Sequence, residues 1–198
     1  MVGEDGFLVA RPTVHLRPSH LPAAAVVAGC AWLTLRPLLG HVMVNPTGAL
    51  VVGFVVLLLL GAGLSLTVRE DRPPSAQAVL PLVLGVGAFA VARLLGGGQG
   101  PTGSLPRLLV LNGLAAVAEE AFFRRLAYGV LLTSSGSGAV ALAGSALLFA
   151  LVHVTGYGFW VFPLDLAAGL LLGWQRQVTG RWSVPALTHV LANVLVLL

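Results

Sequence analysis

The sequence predicts an all-α protein that crosses a membrane about seven times. Of its 198 residues, 57% are hydrophobic and only 9% are charged, whereas a soluble domain carries about 25% charged residues. Long apolar stretches, separated by short polar or Gly/Pro-rich connections, follow one another from residue 21 onward. Because a helix needs about 20 apolar residues to span the hydrocarbon core, the pattern indicates a polytopic membrane protein with little room for a soluble domain.

Seven apolar segments follow a polar tail, which we place at residues 1–20. The segments are 21–44, 48–68, 76–95, 105–133, 137–156, 159–175 and 183–198. Arg36-Pro37 interrupts the first segment and must kink its helix or end it early, because proline removes a helical hydrogen bond. The sixth segment is short and contains Pro163 and Asp165, which favour a bend. We divide the spans into accessory helices, 21–104, and a core, 105–198, that holds most of the buried polar residues.

The charges indicate membrane orientation and exclude a nucleic-acid partner. The formal net charge of +4 comes from arginine alone, because the chain has no lysine. With a cytoplasmic N-terminus, more arginines lie inside than outside, which the positive-inside rule favours. The inside set is Arg11, Arg17, Arg69, Arg72, Arg176 and Arg181, and the outside set is Arg36, Arg93 and Arg107. No basic run exists and aromatic residues are few, so we expect no nucleic-acid binding.

The fourth segment carries two carboxylates and an arginine in Glu119-Glu120-x-x-x-Arg124. An ionisable side chain at the bilayer centre costs at least ~2.5–3.5 kcal/mol, so it is normally kept there for a purpose. On a helix Glu120 and Arg124 share a face, which predicts an ion pair that holds helices together. Glu119 points about 100° away and is free to face a cavity, where it could act as a general base.

Two histidines and an asparagine follow in the fifth and seventh segments. Phe149-x-x-x-His153 and His189-x-x-x-Asn193 both have the i,i+4 spacing that places two side chains on one helix face. An amide N–H and an imidazole N–H aimed at one point can stabilise the oxyanion that forms when water attacks a peptide carbonyl. Straight helices would place Glu119, His153 and His189 at different depths, so a shared site requires tilted or broken helices.

Two further polar residues have less specific roles. We expect Asp165 to cap the helix that follows Pro163, with a place in the cavity wall as the alternative. Asn112 is expected to form a hydrogen bond to another helix.

These three motifs, in this order on separate hydrophobic segments, resemble the CPBP family, the CAAX-protease and bacteriocin-processing membrane endopeptidases also called Abi proteins. Glu119-Glu120-x-x-x-Arg124, Phe149-x-x-x-His153 and His189-x-x-x-Asn193 match the family pattern, and Gly169–Trp174 and Thr179–Pro185 resemble its run into the last motif. The resemblance covers roughly residues 105–198. It implies that Glu119 and His153 activate water and that His189 and Asn193 form the oxyanion site. Glu120 and Arg124 would support the first motif.

The sequence leaves the role of a metal open between two mechanisms. Glu119, His153 and His189 could bind zinc in a His₂Glu arrangement with one open position. No His-Glu-x-x-His pair is present, however, and the three side chains come from separate segments. We therefore favour water activated by glutamate and expect no obligatory cofactor.

The resulting hypothesis is a hydrolase, an intramembrane endopeptidase in the inner membrane of a bacterium. Its expected partners are the lipid bilayer and a peptide or protein substrate, either prenylated or a leader peptide, with bacteriocin processing or self-immunity as the physiological setting. The alternative is a non-catalytic immunity or scaffold protein that keeps the polar cluster for packing. A proton-coupled transporter also uses buried carboxylates and histidines, but the sequence shows no internal repeat.

Overall fold

The computed structural model describes residues 20–64, 76–96 and 103–198, and within these ranges it contains helices and no strand. The helices are α1 (Leu21–Leu35), α2 (Leu39–Val42), α3 (Pro46–Gly63), α4 (Val79–Gly96), α5 (Leu105–Glu120), α6 (Tyr128–Ser135), α7 (Gly138–Tyr157), α8 (Phe162–Thr179) and α9 (Ser183–Leu197). The polar tail up to residue 19 lies outside the described residues. So do Arg11, Arg17, Arg69 and Arg72, on which the predicted orientation depends.

Two irregular segments connect pairs of these helices end to end. When each connected pair is counted as one helical rod, the described residues form seven rods, the number that the sequence predicts. A 3-10 turn, Arg36–Leu38, joins α1 to α2, and a π-helical segment, Ala121–Ala127, joins α5 to α6. Among the described residues, four stretches are long and apolar enough to cross a membrane: Leu21–Leu38, Pro46–Gly63, Val79–Gly96 and Gly138–Tyr157. Their outward faces carry many exposed valines and leucines, as expected where lipid replaces water. The chain is an integral membrane protein.

The boundaries follow from local chemistry. α1 ends just before Arg36-Pro37, as predicted, because a proline inside a helix removes a hydrogen bond and clashes with the preceding turn. Asn45 caps α3 by accepting a hydrogen bond from the Gly48 amide at 2.9 Å. α8 extends to Thr179, beyond the predicted residue 175. It stops at Gly180, whose φ of 70° is the left-handed conformation that terminates many helices.

The π-helical segment lies at the centre of the packed core. Phe122 and Phe123 are fully buried and form edge-to-face contacts with each other and between Phe123 and Phe149 of α7. α3 packs against this segment at Gly61, where a Cβ atom would lie 2.5 Å from the Ala121 carbonyl carbon. A side chain at Gly61 would therefore push the helices apart, so glycine is required for this close approach.

A buried amide ties the last two helices to α4. Gln175 of α8 donates from Nε2 to the Pro81 carbonyl at 2.7 Å and to Oγ1 of Thr188 at 2.9 Å. Interhelical hydrogen bonds of this kind hold membrane helices in a defined arrangement. They fix α9, and with it His189 and Asn193, relative to the rest of the bundle.

Candidate active site

A cavity of about 480 Å³ opens between the N-terminal rods and helices α5, α7 and α9. Its apolar wall includes Leu50, Phe54 and Leu111. Its polar wall includes all four residues predicted to be catalytic, and the polar lining is Arg36, Asn112, Glu119, His153, Tyr157, His189 and Asn193. The tertiary structure thus brings the three motifs to one place.

Glu119 and His153 face each other across a short gap. His153 Nε2 lies 3.8 Å from Oε2 of Glu119, too far for a direct hydrogen bond. The other ring nitrogen, Nδ1, lies 2.8 Å from the Phe149 carbonyl oxygen. A carbonyl oxygen can only accept, so Nδ1 carries a proton and Nε2 of the neutral ring is an acceptor directed at the gap.

The Phe149 side chain packs on both histidines, which explains the i,i+4 spacing of the second motif. Its ring centroid lies 4.6 Å from that of His153 and 5.9 Å from that of His189. Phe149 is buried, so it separates the two imidazoles and limits their rotation. The predicted stacking of Phe149 on His153 is present, with the two rings tilted by 52°.

Glu120, the next residue along α5, is completely buried. Its Oε1 atom is 3.1 Å from Nη1 of Arg124 and 2.9 Å from Nδ1 of His189. The Arg124 guanidinium also stacks 4.5 Å from the centre of the Phe149 ring, and Nη2 donates to the Gly169 carbonyl at 3.3 Å. The predicted ion pair is present, and it includes a third member, His189, that the sequence did not indicate.

Asn193 lies one turn beyond His189 on α9 and also lines the cavity. Its Nδ2 donates to the backbone carbonyl of Asn112 at 3.2 Å, which leaves the second N–H of the amide for the cavity.

The expectation for Asn112 was wrong in one respect. Its side chain bonds within its own helix, to Leu108 O at 2.8 Å, and only its backbone makes the interhelical contact.

Arg36 is a site residue that the sequence analysis did not assign. Its Nη1 donates to Oε1 of Glu119 at 2.9 Å, and its side chain is only 12% exposed. From the sequence alone, Arg36 is only the residue at which the first helix breaks and a charge outside the membrane. A signal was available, because an arginine inside an apolar segment normally has a buried partner.

Asp165 does not cap α8 with its side chain. Val161 occupies the N-cap position without a side-chain hydrogen bond, and Asp165 lies in the first turn, where a carboxylate interacts favourably with the helix dipole. It is half-buried and is not part of the cavity lining, but it lies close enough to His153 and Glu119 to interact with them electrostatically.

The irregular backbone next to the site is the π-helical segment. It begins directly after Glu120 and continues through Arg124 to Ala127. π-helical turns shift the phase of the residues that follow and are frequent at functional sites. The backbone carbonyl of Arg124 within it accepts a hydrogen bond from Nε of Arg176 at 3.0 Å.

The described residues do not form a zinc centre. No group of three or more His, Cys, Asp or Glu side chains among them is arranged to hold a metal ion. The candidate ligands Glu119, His153 and His189 are divided between two clusters. The Arg36 guanidinium already binds Glu119 at 2.9 Å, and this cation would repel a divalent metal. The arrangement does not fit the His₂Glu alternative.

Comparison with known proteins identifies the part of the chain that carries the site. Residues 101–195 match the family model described as Type II CAAX prenyl endopeptidase Rce1-like. No curated protein and no solved structure matches the chain. The matching segment is just under half of the chain and contains all seven named residues of the three motifs, but not Arg36. Residues 101–195 are therefore similar to the Rce1-like domain of type II CAAX prenyl endopeptidases.

Proposed function

We propose that the protein is an intramembrane endopeptidase in which Glu119 and His153 activate water and His189 and Asn193 stabilise the oxyanion. The observation that carries the proposal is the 3.8 Å gap between Glu119 Oε2 and His153 Nε2 in the wall of the cavity. Both atoms are hydrogen-bond acceptors, and neither is paired with the other. A water molecule that donates one proton to each would have its oxygen lone pair directed at a substrate carbonyl.

The chemical steps follow from this arrangement. The water oxygen attacks the scissile carbonyl carbon while Glu119 takes one of its protons, and the tetrahedral oxyanion forms. Collapse of that intermediate breaks the C–N bond as the proton passes from Glu119 to the leaving amine. The same carboxylate thus acts first as a base and then as an acid.

Contacts with Glu120 support the proposed oxyanion role of His189. Nδ1 of His189 lies 2.9 Å from the Glu120 carboxylate and donates a hydrogen bond to it. When the imidazole is protonated, Glu120 balances its charge and Nε2–H donates to the oxyanion. The second N–H of the Asn193 amide supplies a further donor. Donors fixed in advance in a cavity with an apolar wall are worth more than donors in water.

The proposed substrate is an extended peptide that reaches the cavity from the membrane. The family name specifies prenylated CAAX substrates for its members, and we propose the C-terminal tail of a lipid-modified protein for this chain. A bacterial leader peptide is the second candidate. We further propose that the protein lies in the inner membrane of a bacterium with its N-terminus in the cytoplasm, as its arginine distribution favours.

The first test is cleavage of quenched-fluorescent peptides, with and without a farnesyl group, by the purified protein in liposomes. His153→Gln should lower kcat by about 10²–10⁴-fold, the usual loss when an acid–base group is removed. His41→Gln is the matched control, because His41 is exposed on α2 and does not line the cavity. Cleavage should persist with a strong chelator of divalent metals.

Two results would contradict the proposal. If well-folded wild-type protein cleaves neither prenylated nor leader-like peptides, the non-catalytic immunity or scaffold function is favoured. If the chelator abolishes cleavage and zinc restores it, the water is activated by a metal and the mechanism above is wrong.

A further inference from the structure

The cavity receives a guanidinium from a part of the chain that the family match does not include. Arg36 lies on the 3-10 turn between α1 and α2, far in sequence from residues 101–195. It lines the same cavity as Glu119, His153, His189 and Asn193. The N–H of Nη1 reaches Glu119 Oε1 at 2.9 Å, a distance typical of a charge-assisted hydrogen bond.

The break in the first rod holds this guanidinium in place. α1 stops at Leu35, and the 3-10 turn that contains Pro37 places Arg36 and Pro37 in the wall of the cavity. The Arg36 guanidinium carbon lies 5.6 Å from the centre of the Phe54 ring on α3, a cation–π distance. Arg36 is therefore held on one side by an aromatic ring and on another by a carboxylate.

We infer that Arg36 is a positioning residue for the water-activating carboxylate, and that the N-terminal helices complete the active site of the Rce1-like domain. This inference rests on the proposed endopeptidase function. Arg36 binds Oε1 of Glu119 and leaves Oε2 facing His153 Nε2 across the 3.8 Å gap. Without this contact the carboxylate could rotate about its terminal bond, which has a broad torsional preference, and the water site would lose its geometry.

Charge balance supports the same role. Glu119 and Glu120 are adjacent and buried, and two uncompensated carboxylates would repel each other strongly in a medium of low dielectric constant. Arg124 lies 3.1 Å from Glu120, and Arg36 lies 2.9 Å from Glu119. Each carboxylate therefore has its own arginine, but only Arg36 comes from outside the matching segment.

Arg36 could instead bind the terminal carboxylate of a substrate, but its location disfavours this. The carboxyl end of a tripeptide leaving group lies about 10 Å from the scissile carbonyl when it is extended. Arg36 touches the base that must lie next to that carbonyl. A role in binding would raise KM, whereas a positioning role lowers kcat, so kinetics separate the two.

The experiment compares Arg36→Ala, Arg36→Lys and Arg93→Gln in the full-length protein in liposomes, with the peptide that the wild type cleaves. Arg93 is the matched control, because it lies in the last turn of another membrane helix, α4, and does not line the cavity. Arg36→Ala should lower kcat by about 10²-fold, as misplacement of a reacting group does, with KM little changed. Arg36→Lys should retain part of the activity, and Arg93→Gln should match the wild type.

Chemical rescue distinguishes positioning from a merely structural role. Methylguanidinium added to folded Arg36→Ala should restore at least about tenfold of the lost kcat, and it should not activate the wild type or Arg93→Gln. A kcat within about threefold of the wild type, a rise in KM alone, or folded Arg36→Ala that methylguanidinium does not rescue would overturn the inference. Absence of cleavage by the wild type would instead refute the proposed function.

Discussion

Glu119 and Glu120 are neighbours in sequence, yet the structure places them in two different kinds of site. Each carboxylate has one arginine and one histidine as partners: Arg36 and His153 for Glu119, and Arg124 and His189 for Glu120. The cluster around Glu120 is closed, because both partners lie within 3.1 Å of the same oxygen atom. The cluster around Glu119 is open, because its histidine stands 3.8 Å from an oxygen that lines a cavity.

The difference shows how one pair of charges can support a fold and the other can support a reaction. The ion pair at Glu120 balances its charges and links α5, the π-helical segment and α9, although the buried Glu120 Oε2 and Arg124 Nε have no hydrogen-bond partner among the described residues. An open pair keeps unused hydrogen-bonding capacity at the point where a water molecule and a substrate can enter. In the proposed mechanism, the gap between the partners, more than the types of residue, distinguishes the reactive cluster from the structural one.

The largest difference between the two clusters is expected when Glu119, in the open cluster, is neutralised. Glu119→Gln keeps the size of the side chain but removes the base, so kcat should fall by about 10²–10⁴-fold. The melting temperature should fall less than in Glu120→Gln, because the partner Arg36 is 12% exposed and borders the cavity, whereas Arg124 is completely buried. Kinetics and thermal unfolding in the same detergent provide the two measurements. A large loss of stability in Glu119→Gln would show that this cluster is also structural.

The converse change neutralises Glu120, the carboxylate of the closed cluster. Glu120→Gln leaves the fully buried Arg124 without its anion, and breaking such a pair costs about 3–5 kcal/mol of folding free energy. Unfolding by denaturant in mixed micelles should show this loss. Activity should also fall, because His189 loses the carboxylate that orients it. If Glu120→Gln unfolds like the wild type, the cluster around Glu120 is not a structural element.

A smaller loss of folding free energy is expected when a methyl group is added where α3 packs beside the two clusters. Gly61→Ala places a methyl group against the Ala121 backbone, directly after both glutamates, and should cost about 1–3 kcal/mol through overpacking. Gly63→Ala on the same helix is the control, because a Cβ atom there meets nothing within 4 Å. Thermal unfolding of both variants measures the difference. Equal stability would show that α3 does not press on the π-helical segment.

Much of the fold follows from local sequence rules. The seven rods, the break at Arg36-Pro37 and the end of α8 near Gly180 follow from apolar segment length, proline sterics and glycine conformation. The i,i+4 spacing predicted the ion pair of Glu120 with Arg124 and the contact of Phe149 with His153. These features depend on residues within a few turns of one another, so a helical geometry is enough to predict them.

The sequence also predicts which residues lie at the candidate site, but not how they are arranged. Glu119, His153, His189 and Asn193 were selected because polar groups in apolar segments are costly, and the cavity contains all four. Their partners were not predictable in this way. The contacts of His189 with Glu120 and of Asn193 with the Asn112 carbonyl join residues on different helices.

By itself, then, the sequence determined a helical membrane protein with an Rce1-like pattern of acidic, imidazole and amide groups. The tertiary structure alone shows that Arg36 binds Glu119, that His189 binds Glu120, and that a π-helical segment begins directly after both glutamates. The physical reason is that helical periodicity specifies which residues share a face. Helical periodicity does not specify which faces meet or at what distance. These depend on close packing at residues such as Gly61 and Gly169 and on the π-helical segment, whose residues are out of phase with an α-helix.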